Sequence, residues 1–219
     1  MHFFSSRTEA GDKIADRLVE RYRYEDVSVV ALGDGAVLVG VEIAVRLHCV
    51  INMLLSSPEK AALEANESAM FNSFGRTPYN AVYSASDLEN VDANKYSHAE
   101  LQKLVHEFED GGLLGDGGLV SEDHIRHRNV ILVSDGLYTG FSMQAASEFL
   151  KSLSPTKVIM AAPILSASAM DQIFPFADDI VALEVLDELQ PIEHYYENNH
   201  VPSHDVIYEV IQKVILRWQ

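Results

Sequence analysis

Residues 134–142, Ser-Asp-Gly-Leu-Tyr-Thr-Gly-Phe-Ser, combine small residues, hydroxyl groups and one carboxylate between two regular segments. The apolar, β-branched run of residues 129–133 before them predicts a buried strand, and residues 143–146 after them begin a helix pattern. Two interpretations are open. The segment is either a cradle for a phosphate group with a carboxylate beside it, or a strand-to-helix turn whose hydroxyl groups cap the helix.

The chemistry of this segment suits a ribose 5-phosphate group. Amides at the start of a helix bind anions, so we expect the amides of residues 137–141 to converge on the phosphate. Asp135 cannot bind that phosphate itself, but its carboxylate would accept hydrogen bonds from the sugar hydroxyls. Close backbone approach and further hydroxyl donors would come from Gly136, Gly140, Thr139 and Ser142.

A second loop, Gly33-Asp34-Gly35-Ala36, follows residues 27–32, another short run that predicts a buried strand. Ligands of parallel sheets bind beyond the carboxyl ends of the strands, so we expect the two loops to lie at one cleft. Asp34 is open to two interpretations: an ordinary loop acid between permissive glycines, or a magnesium ligand.

Strand and helix patterns alternate along the chain, which predicts an α/β fold with a central, mostly parallel sheet flanked by helices. The predicted strands are 27–32, 49–55, 129–133, 157–162 and 180–185. Helices are predicted after a capping box at residues 6–9 and at 36–47, 58–68, 97–108, 141–153, 166–174 and 204–218. The inward residues would be Ile14, Ala15, Leu18 and Val19 in the first helix, and Val206, Ile207, Val210, Ile211 and Val214 in the last.

The 219 residues suit one domain, 1–219, with an irregular insertion or hood at about 70–128. This insertion contains a Gly-rich acidic loop at residues 110–118, which is either a lid or a plain linker.

Composition narrows the class of protein. The formal net charge of −17 argues against binding to nucleic acid, because phosphate backbones require basic neutralisation. The single cysteine, Cys49, is expected in the core, and one cysteine fits a reducing, cytoplasmic compartment. We expect neither a signal peptide nor a membrane span.

The segment Val-Ile-Leu-Val-Ser-Asp-Gly-Leu-Tyr-Thr-Gly-Phe-Ser resembles the phosphoribosyl pyrophosphate signature of the type I phosphoribosyltransferases. That signature is an apolar strand, two acids, three variable residues and Thr-Gly-x-Ser/Thr. Residues 4–18, with Arg7, Glu9, Ala10 and Gly11, are similar to the start of the predicted bacterial phosphoribosyltransferase group. Residues 29–44, Pro163 and the tail around Tyr195, Tyr196, Glu197 and Val206 are also similar to that group.

The resemblance implies a protein that binds phosphoribosyl pyrophosphate with Mg2+ and transfers ribose phosphate to a nitrogen nucleophile. It places the 5-phosphate at Thr139, Gly140 and Ser142. It assigns Asp135 to the ribose hydroxyls and to the positive charge that develops at the anomeric carbon. Residues 33–36 take the place of the pyrophosphate loop.

Several residues depart from the family pattern. Ser134 replaces the first acid of the signature, while Tyr138 and Phe141 replace small residues and are expected to narrow the phosphate loop. The related group usually has Pro-Arg-Gly-Gly at residues 33–36, so Asp34 replaces a cation. It also has a basic pair where this chain has Asn52-Met53-Leu54. Since pyrophosphate departs with several negative charges, each lost contact would cost about 2–4 kcal/mol of transition-state stabilisation.

Two functions therefore remain open. The first is a phosphoribosyltransferase-family protein that binds phosphoribosyl pyrophosphate or a nucleoside monophosphate through residues 134–142 and 33–35. The second is a catalytically silent relative that senses a nucleotide or phosphate, or acts in an assembly. The acceptor would be chosen by the hood, and a homodimer is the commonest assembly for such a chain. His124 and His127 are interpreted as surface residues, and His194, His200 and His204 as residues of a polar loop. Tyr195 and Tyr196 are interpreted as packing of the tail against the domain.

Overall fold

The computed structural model describes residues 3–54, 106 and 120–215. Apart from His106, which is helical, the predicted helices at 58–68 and 97–108 lie outside the described residues. So do most of the insertion and the Gly-rich loop at 110–118. The strands are β1 (Phe4–Ser6), β2 (Val27–Leu32), β3 (Val50–Leu54), β4 (Asn129–Val133), β5 (Lys157–Ser166), β6 (Asp179–Leu186) and β7 (Tyr196–Asn198). The helices are α1 (Arg7–Tyr22), α2 (Asp34–Leu47), α3 (Phe141–Ser152), α4 (Ala167–Ile173) and α5 (His204–Ile215), with 3-10 turns at Glu122–His124, Phe174–Phe176 and Ile192–Tyr195.

Five strands form one parallel sheet in the order β3-β2-β4-β5-β6, which confirms the predicted fold class. The chain moves outward from β2 to β3, and then returns to β4 on the other side of β2. Ala31 of β2 is therefore the register partner of Val133 of β4. Their carboxyl ends lie side by side where the strand order reverses, and this is the place where such sheets bind ligands.

Helices cover both faces of the sheet. One face packs against α1, α2 and α5 through residues such as Ile14, Leu18 and Ile207. The other face packs against α3, α4 and the segment after Val120, and Phe149 of α3 is fully buried in this cluster. These buried, largely β-branched strands explain why the sequence shows continuous apolar runs instead of alternation.

A second, two-stranded parallel sheet joins the two ends of the chain, and the sequence did not predict it. Phe4 of β1 pairs with Tyr196 of β7. Both tyrosines of the tail are buried, with Tyr195 5% and Tyr196 0% exposed, which confirms that they pack against the domain. Strands of three residues carry too little pattern to be recognised without their partner.

Two predicted details were wrong. β5 continues to Ser166 instead of ending before Pro163. The strand tolerates this proline, which has no amide to donate, because the pairing with β4 ends opposite Ala161 and the register with β6 skips position 163. Val206 is 46% exposed instead of inward-facing. The inner stripe of α5 is narrower than predicted and is formed by Ile207, Ile211 and Val214.

None of the helices in the described part of the chain is long and apolar enough to cross a membrane.

Candidate functional site

The two loops selected from the sequence follow neighbouring strands at the reversal of strand order. Residues 33–35 follow β2, and residues 134–140 follow β4. The expectation that both loops share one region of the molecule is therefore confirmed.

Gly33 sets the direction of the first loop. Its φ of 85° and ψ of 174° belong to a backbone region that residues other than glycine rarely adopt. Its amide donates to the Leu54 carbonyl at 3.1 Å, and its carbonyl accepts from the Val37 amide, so the loop leads directly into α2. Asp34 is the first residue of that helix, where a carboxylate complements the helix dipole.

Asp34 is also in contact with the opposite end of the chain. Its Oδ1 lies 2.9 Å from Nδ1 of His204, the first residue of α5. Both side chains are partly exposed. This contact brings a histidine beside the loop that lacks a basic residue of its own.

The hydroxyl of Ser134 is engaged within its own turn. It donates to the Gly136 carbonyl at 2.8 Å and accepts from the Gly136 amide at 3.3 Å. Ser134 is 6% exposed. The residue that replaces the first acid of the signature therefore stabilises the start of the loop in this structure.

Asp135 forms an ion pair with Arg7. Arg7 Nε donates to Asp135 Oδ2 at 2.6 Å, and the two side chains are 5% and 21% exposed. Arg7 Nη1 donates to the Asn199 carbonyl at 3.0 Å, and the guanidinium lies 4.6 Å from the centre of the Tyr196 ring. This arginine is thus fixed by an acid, a carbonyl and an aromatic face, which are the partners that a buried guanidinium requires.

Tyr196 also holds the backbone at the acid. Its hydroxyl donates to the Asp135 carbonyl at 2.5 Å. Burial, together with the nearby charge of Asp135, raises the pKa of Tyr196 well above its ordinary value, so the phenol remains a donor.

Gly35 brings the first loop against this ion pair. A Cβ atom on Gly35 would lie 2.3 Å from Asp135 Oδ2 and 3.1 Å from Arg7 Nε. Only hydrogen fits in that space. The two loops therefore meet in direct contact, with Asp135 and Arg7 at the junction.

Leu137 differs from its predicted role. Its amide donates to the Ile164 carbonyl at 3.1 Å, and its carbonyl accepts from the Ser166 amide. The continuation of β5 past Pro163 provides these partners. Because its amide is already bonded to the sheet, Leu137 does not offer that amide to an anion. The anion contacts expected of residues 138–141 stay a prediction.

Tyr138 and Phe141 were predicted to narrow the phosphate loop, but both side chains have contacts outside it. The Tyr138 hydroxyl donates to the Gln190 carbonyl at 2.8 Å, which turns the ring toward the segment that precedes β7. Phe141 is 8% exposed and packs in the hydrophobic cluster under α3. The larger side chains at these two positions therefore belong to the packing around the loop.

Two glycines of the signature are needed for close packing. A Cβ atom on Gly136 would lie 2.4 Å from Ile192, and one on Gly140 would lie 2.5 Å from Ile173. Gly140 precedes α3 directly, and the neighbouring Thr139 and Ser142 are half-buried at the start of this helix. The predicted phosphate residues thus stand together at a helix start, where backbone amides can bind an anion.

The part of the chain that the structure describes contains no group of three His, Cys, Asp or Glu residues that could hold a metal ion. His124 is half-buried instead of lying on the surface, because its Nδ1 contacts Asn52 Oδ1 at 2.9 Å.

Arg7 and His204 are the site residues that the sequence did not assign to the site. Arg7 stood within the first segment of the family resemblance, but its spacing of 128 residues from Asp135 gives no local pattern. His204 stood at the start of a predicted helix. The role of the buried arginine can be recognised only from its tertiary contacts.

Comparison with known proteins agrees with this architecture. The family model described as the phosphoribosyl transferase domain matches residues 6–175. A crystal structure of a protein from Thermus thermophilus is similar over 100% of this chain and 99% of its own, with 24% identity and a TM-score of 0.60. A purine phosphoribosyltransferase from Pyrococcus horikoshii matches over 89% of both chains, with 13% identity and a TM-score of 0.45.

The matched region begins at the capping residue of α1 and ends beyond α4, so it includes both loops of the candidate site. This chain belongs to the phosphoribosyl transferase domain family.

Proposed function

We propose that this protein binds a phosphoribosyl ligand, either phosphoribosyl pyrophosphate or a nucleoside monophosphate, where residues 33–35 meet residues 134–142. The observation that carries the proposal is the contact of Gly35 with Asp135, because it joins the loop in the pyrophosphate position to the acid in the ribose position. Membership of the family supports the choice of ligand.

Each part of the ligand has a counterpart in the site. The 5-phosphate would bind at the start of α3, through backbone amides and the hydroxyls of Thr139 and Ser142. The ribose hydroxyls would donate to Asp135. Asp135 Oδ2 is bonded to Arg7, and the contacts among the described residues leave Oδ1 as the acceptor for the sugar.

In a transferase reaction the bond from the anomeric carbon to pyrophosphate breaks, and the pyrophosphate leaves with the electron pair. A nitrogen nucleophile forms the new bond and loses a proton. Asp135 would stabilise the positive charge on the sugar, and the loop at 33–35 would hold the leaving group. The hood would select the nitrogen acceptor.

Magnesium is proposed to accompany the pyrophosphate. Each loop carries one carboxylate, Asp34 in the first and Asp135 in the second, and Asp135 is already paired with Arg7. This set suits Mg2+, which is commonly bound by one or two carboxylates together with substrate phosphates. Asp34 would be the carboxylate that holds it, and the bound metal would neutralise charge on the leaving group.

Two observations favour the second candidate, a catalytically silent nucleotide or phosphate sensor. The guanidinium of Arg7, 2.6 Å from Asp135, offsets the charge that would stabilise the developing cation. Asp34 adds a negative charge where the leaving group would lie. Both features leave ligand binding possible, but they reduce the electrostatic stabilisation of the transition state for transfer.

Calorimetry distinguishes the two candidates. The protein is titrated with phosphoribosyl pyrophosphate and Mg2+, with ribose 5-phosphate, and with a nucleoside monophosphate, and pyrophosphate release is measured with a panel of bases. Release with any base establishes the transferase. Monophosphate binding without release establishes the silent relative, and absence of binding by every phosphorylated ligand refutes the proposal.

Matched variants locate the binding. Thr139→Ala should weaken all the phosphorylated ligands, whereas Thr156→Ala, which removes an exposed threonine hydroxyl elsewhere, should not. Asp135→Asn should weaken ligands that carry ribose more than it weakens inorganic phosphate. Asp12→Asn, which changes an exposed acid of α1 that is paired with Arg46, is the charge-matched control for that comparison.

A further inference from the structure

Arg7 is the most deeply buried charged side chain at the junction of the two loops. It is 4% exposed, and its two hydrogen bonds within the described residues use Nε and Nη1. Burial of a guanidinium is costly unless it is paired, and the partner here is an acid that the family resemblance assigns to the ligand. Arg7 is therefore connected to the proposed ligand site through its ion pair with Asp135.

Arg7 holds one carboxylate oxygen of Asp135, Oδ2, and forms no hydrogen bond with the other, Oδ1. Nε takes Oδ2, the Tyr196 hydroxyl holds the Asp135 carbonyl, and Gly35 closes the space on the Oδ2 side. The carboxylate is thereby prevented from rotating freely. In a signature that has lost its first acid, orientation of the remaining carboxylate decides whether the sugar hydroxyls find an acceptor.

The support of Arg7 comes from both ends of the chain. Arg7 follows β1 directly, and Asn199, whose carbonyl accepts from Nη1, follows β7 directly. Pairing of Phe4 with Tyr196 brings these two ends together. The small two-stranded sheet thus serves to place one guanidinium against one carboxylate.

We propose that Arg7 is the positioning residue of this site, and that it orients Asp135 so that Oδ1 selects ligands with ribose hydroxyls. This inference rests on the proposed binding of a phosphoribosyl ligand. Arg7 acts through Asp135, and the 5-phosphate subsite at Thr139 and Ser142 is independent of it.

The test measures hydroxyl discrimination, defined as the affinity for ribose 5-phosphate divided by that for the 2-deoxy or the 3-deoxy analogue, whichever ratio is larger. A hydrogen bond from a hydroxyl to an oriented carboxylate should give about ten- to a hundredfold discrimination in the unaltered protein. Arg7→Met should reduce it to below about threefold, and leave the affinity for inorganic phosphate within about twofold. Arg17→Met, which removes an exposed arginine from the same helix, should keep the original discrimination.

The outcomes separate the inference from the proposed function. If the unaltered protein binds no phosphorylated ligand, the proposed function fails. If it binds them and Arg7→Met retains full discrimination, or loses affinity for inorganic phosphate and for both sugars equally, the positioning role is wrong.

A second pair of variants applies if Arg7→Met does not fold. Arg7→Lys retains the charge without the planar guanidinium, and Gly35→Ala displaces Asp135 while Arg7 remains. Loss of discrimination in both variants supports the proposal, and full discrimination in both overturns it.

Discussion

Replacement of Gly35 by alanine should destabilise the protein, although helix propensity alone predicts the opposite. Gly35 is the second residue of α2, where alanine is favoured over glycine by about 0.5–1 kcal/mol. The new Cβ atom would lie 2.3 Å from Asp135 Oδ2, so the carboxylate must move by about 1 Å to reach an ordinary contact distance.

That displacement breaks the 2.6 Å bond from Arg7 to Asp135. Loss of a hydrogen bond between charged groups costs about 1.5–3 kcal/mol, which exceeds the gain in helix propensity. The expected net loss in the free energy of unfolding is about 1–2 kcal/mol. In an Asp135→Ala background the carboxylate obstruction is absent and only the 3.1 Å approach to Arg7 Nε remains, so the same substitution at position 35 should be neutral or stabilising by up to about 1 kcal/mol.

Urea unfolding of the four proteins in this cycle, followed by circular dichroism, gives the coupling energy between the two positions. A coupling of about 2 kcal/mol is expected. The reasoning is refuted if Gly35→Ala stabilises the otherwise unaltered protein, or if its cost is the same in the presence and absence of the Asp135 carboxylate.

Three further predictions follow from buried contacts. Ser166→Ala should lower stability by about 1–2 kcal/mol in urea unfolding, because the hydroxyl caps α4 and donates to the Tyr138 carbonyl; an unchanged midpoint would contradict this. Burial raises the pKa of Cys49 to about 12, so a thiol reagent at pH 8 should react only after unfolding, and rapid reaction of the native protein would disprove the assignment. Burial, followed by the charge of Arg128, lowers the pKa of His124 below its ordinary value of 6.5. Its contribution to stability should be complete above pH 6.5 and decrease as the pH falls through the folded pKa, and His124→Asn should remove that part of the pH dependence.

The sequence was sufficient for the large elements because their signals are local. Continuous apolar runs at residues 27–32 and 129–133 predicted the central strands, and the alternation with helices predicted a parallel sheet. The signature at 134–142 and the rule for carboxyl ends of parallel strands then placed two loops at one cleft. The structure confirms that the two loops lie together, since β2 and β4 are neighbours and Gly35 lies against Asp135.

The contacts within the site depended on the tertiary structure, because they join residues that are distant along the chain. Leu137 was predicted to offer its amide to an anion, but the extension of β5 beyond Pro163 supplies a carbonyl that takes it. Tyr138 and Phe141 were predicted to narrow the phosphate loop, and their neighbours instead draw them into the surrounding packing.

By itself, the sequence identified the residues that are proposed to bind a phosphoribosyl ligand: the acid at 135, the Thr-Gly-x-Ser run, and the loop at 33–35, where Asp34 departs from the family pattern. Only the tertiary structure decided how the acid is held. The pairing of β1 with β7 brings Arg7 to Asp135, and α5 brings His204 to Asp34. Such pairings arise from the burial of two chain ends against one sheet, and no pattern of spacing within either end specifies them.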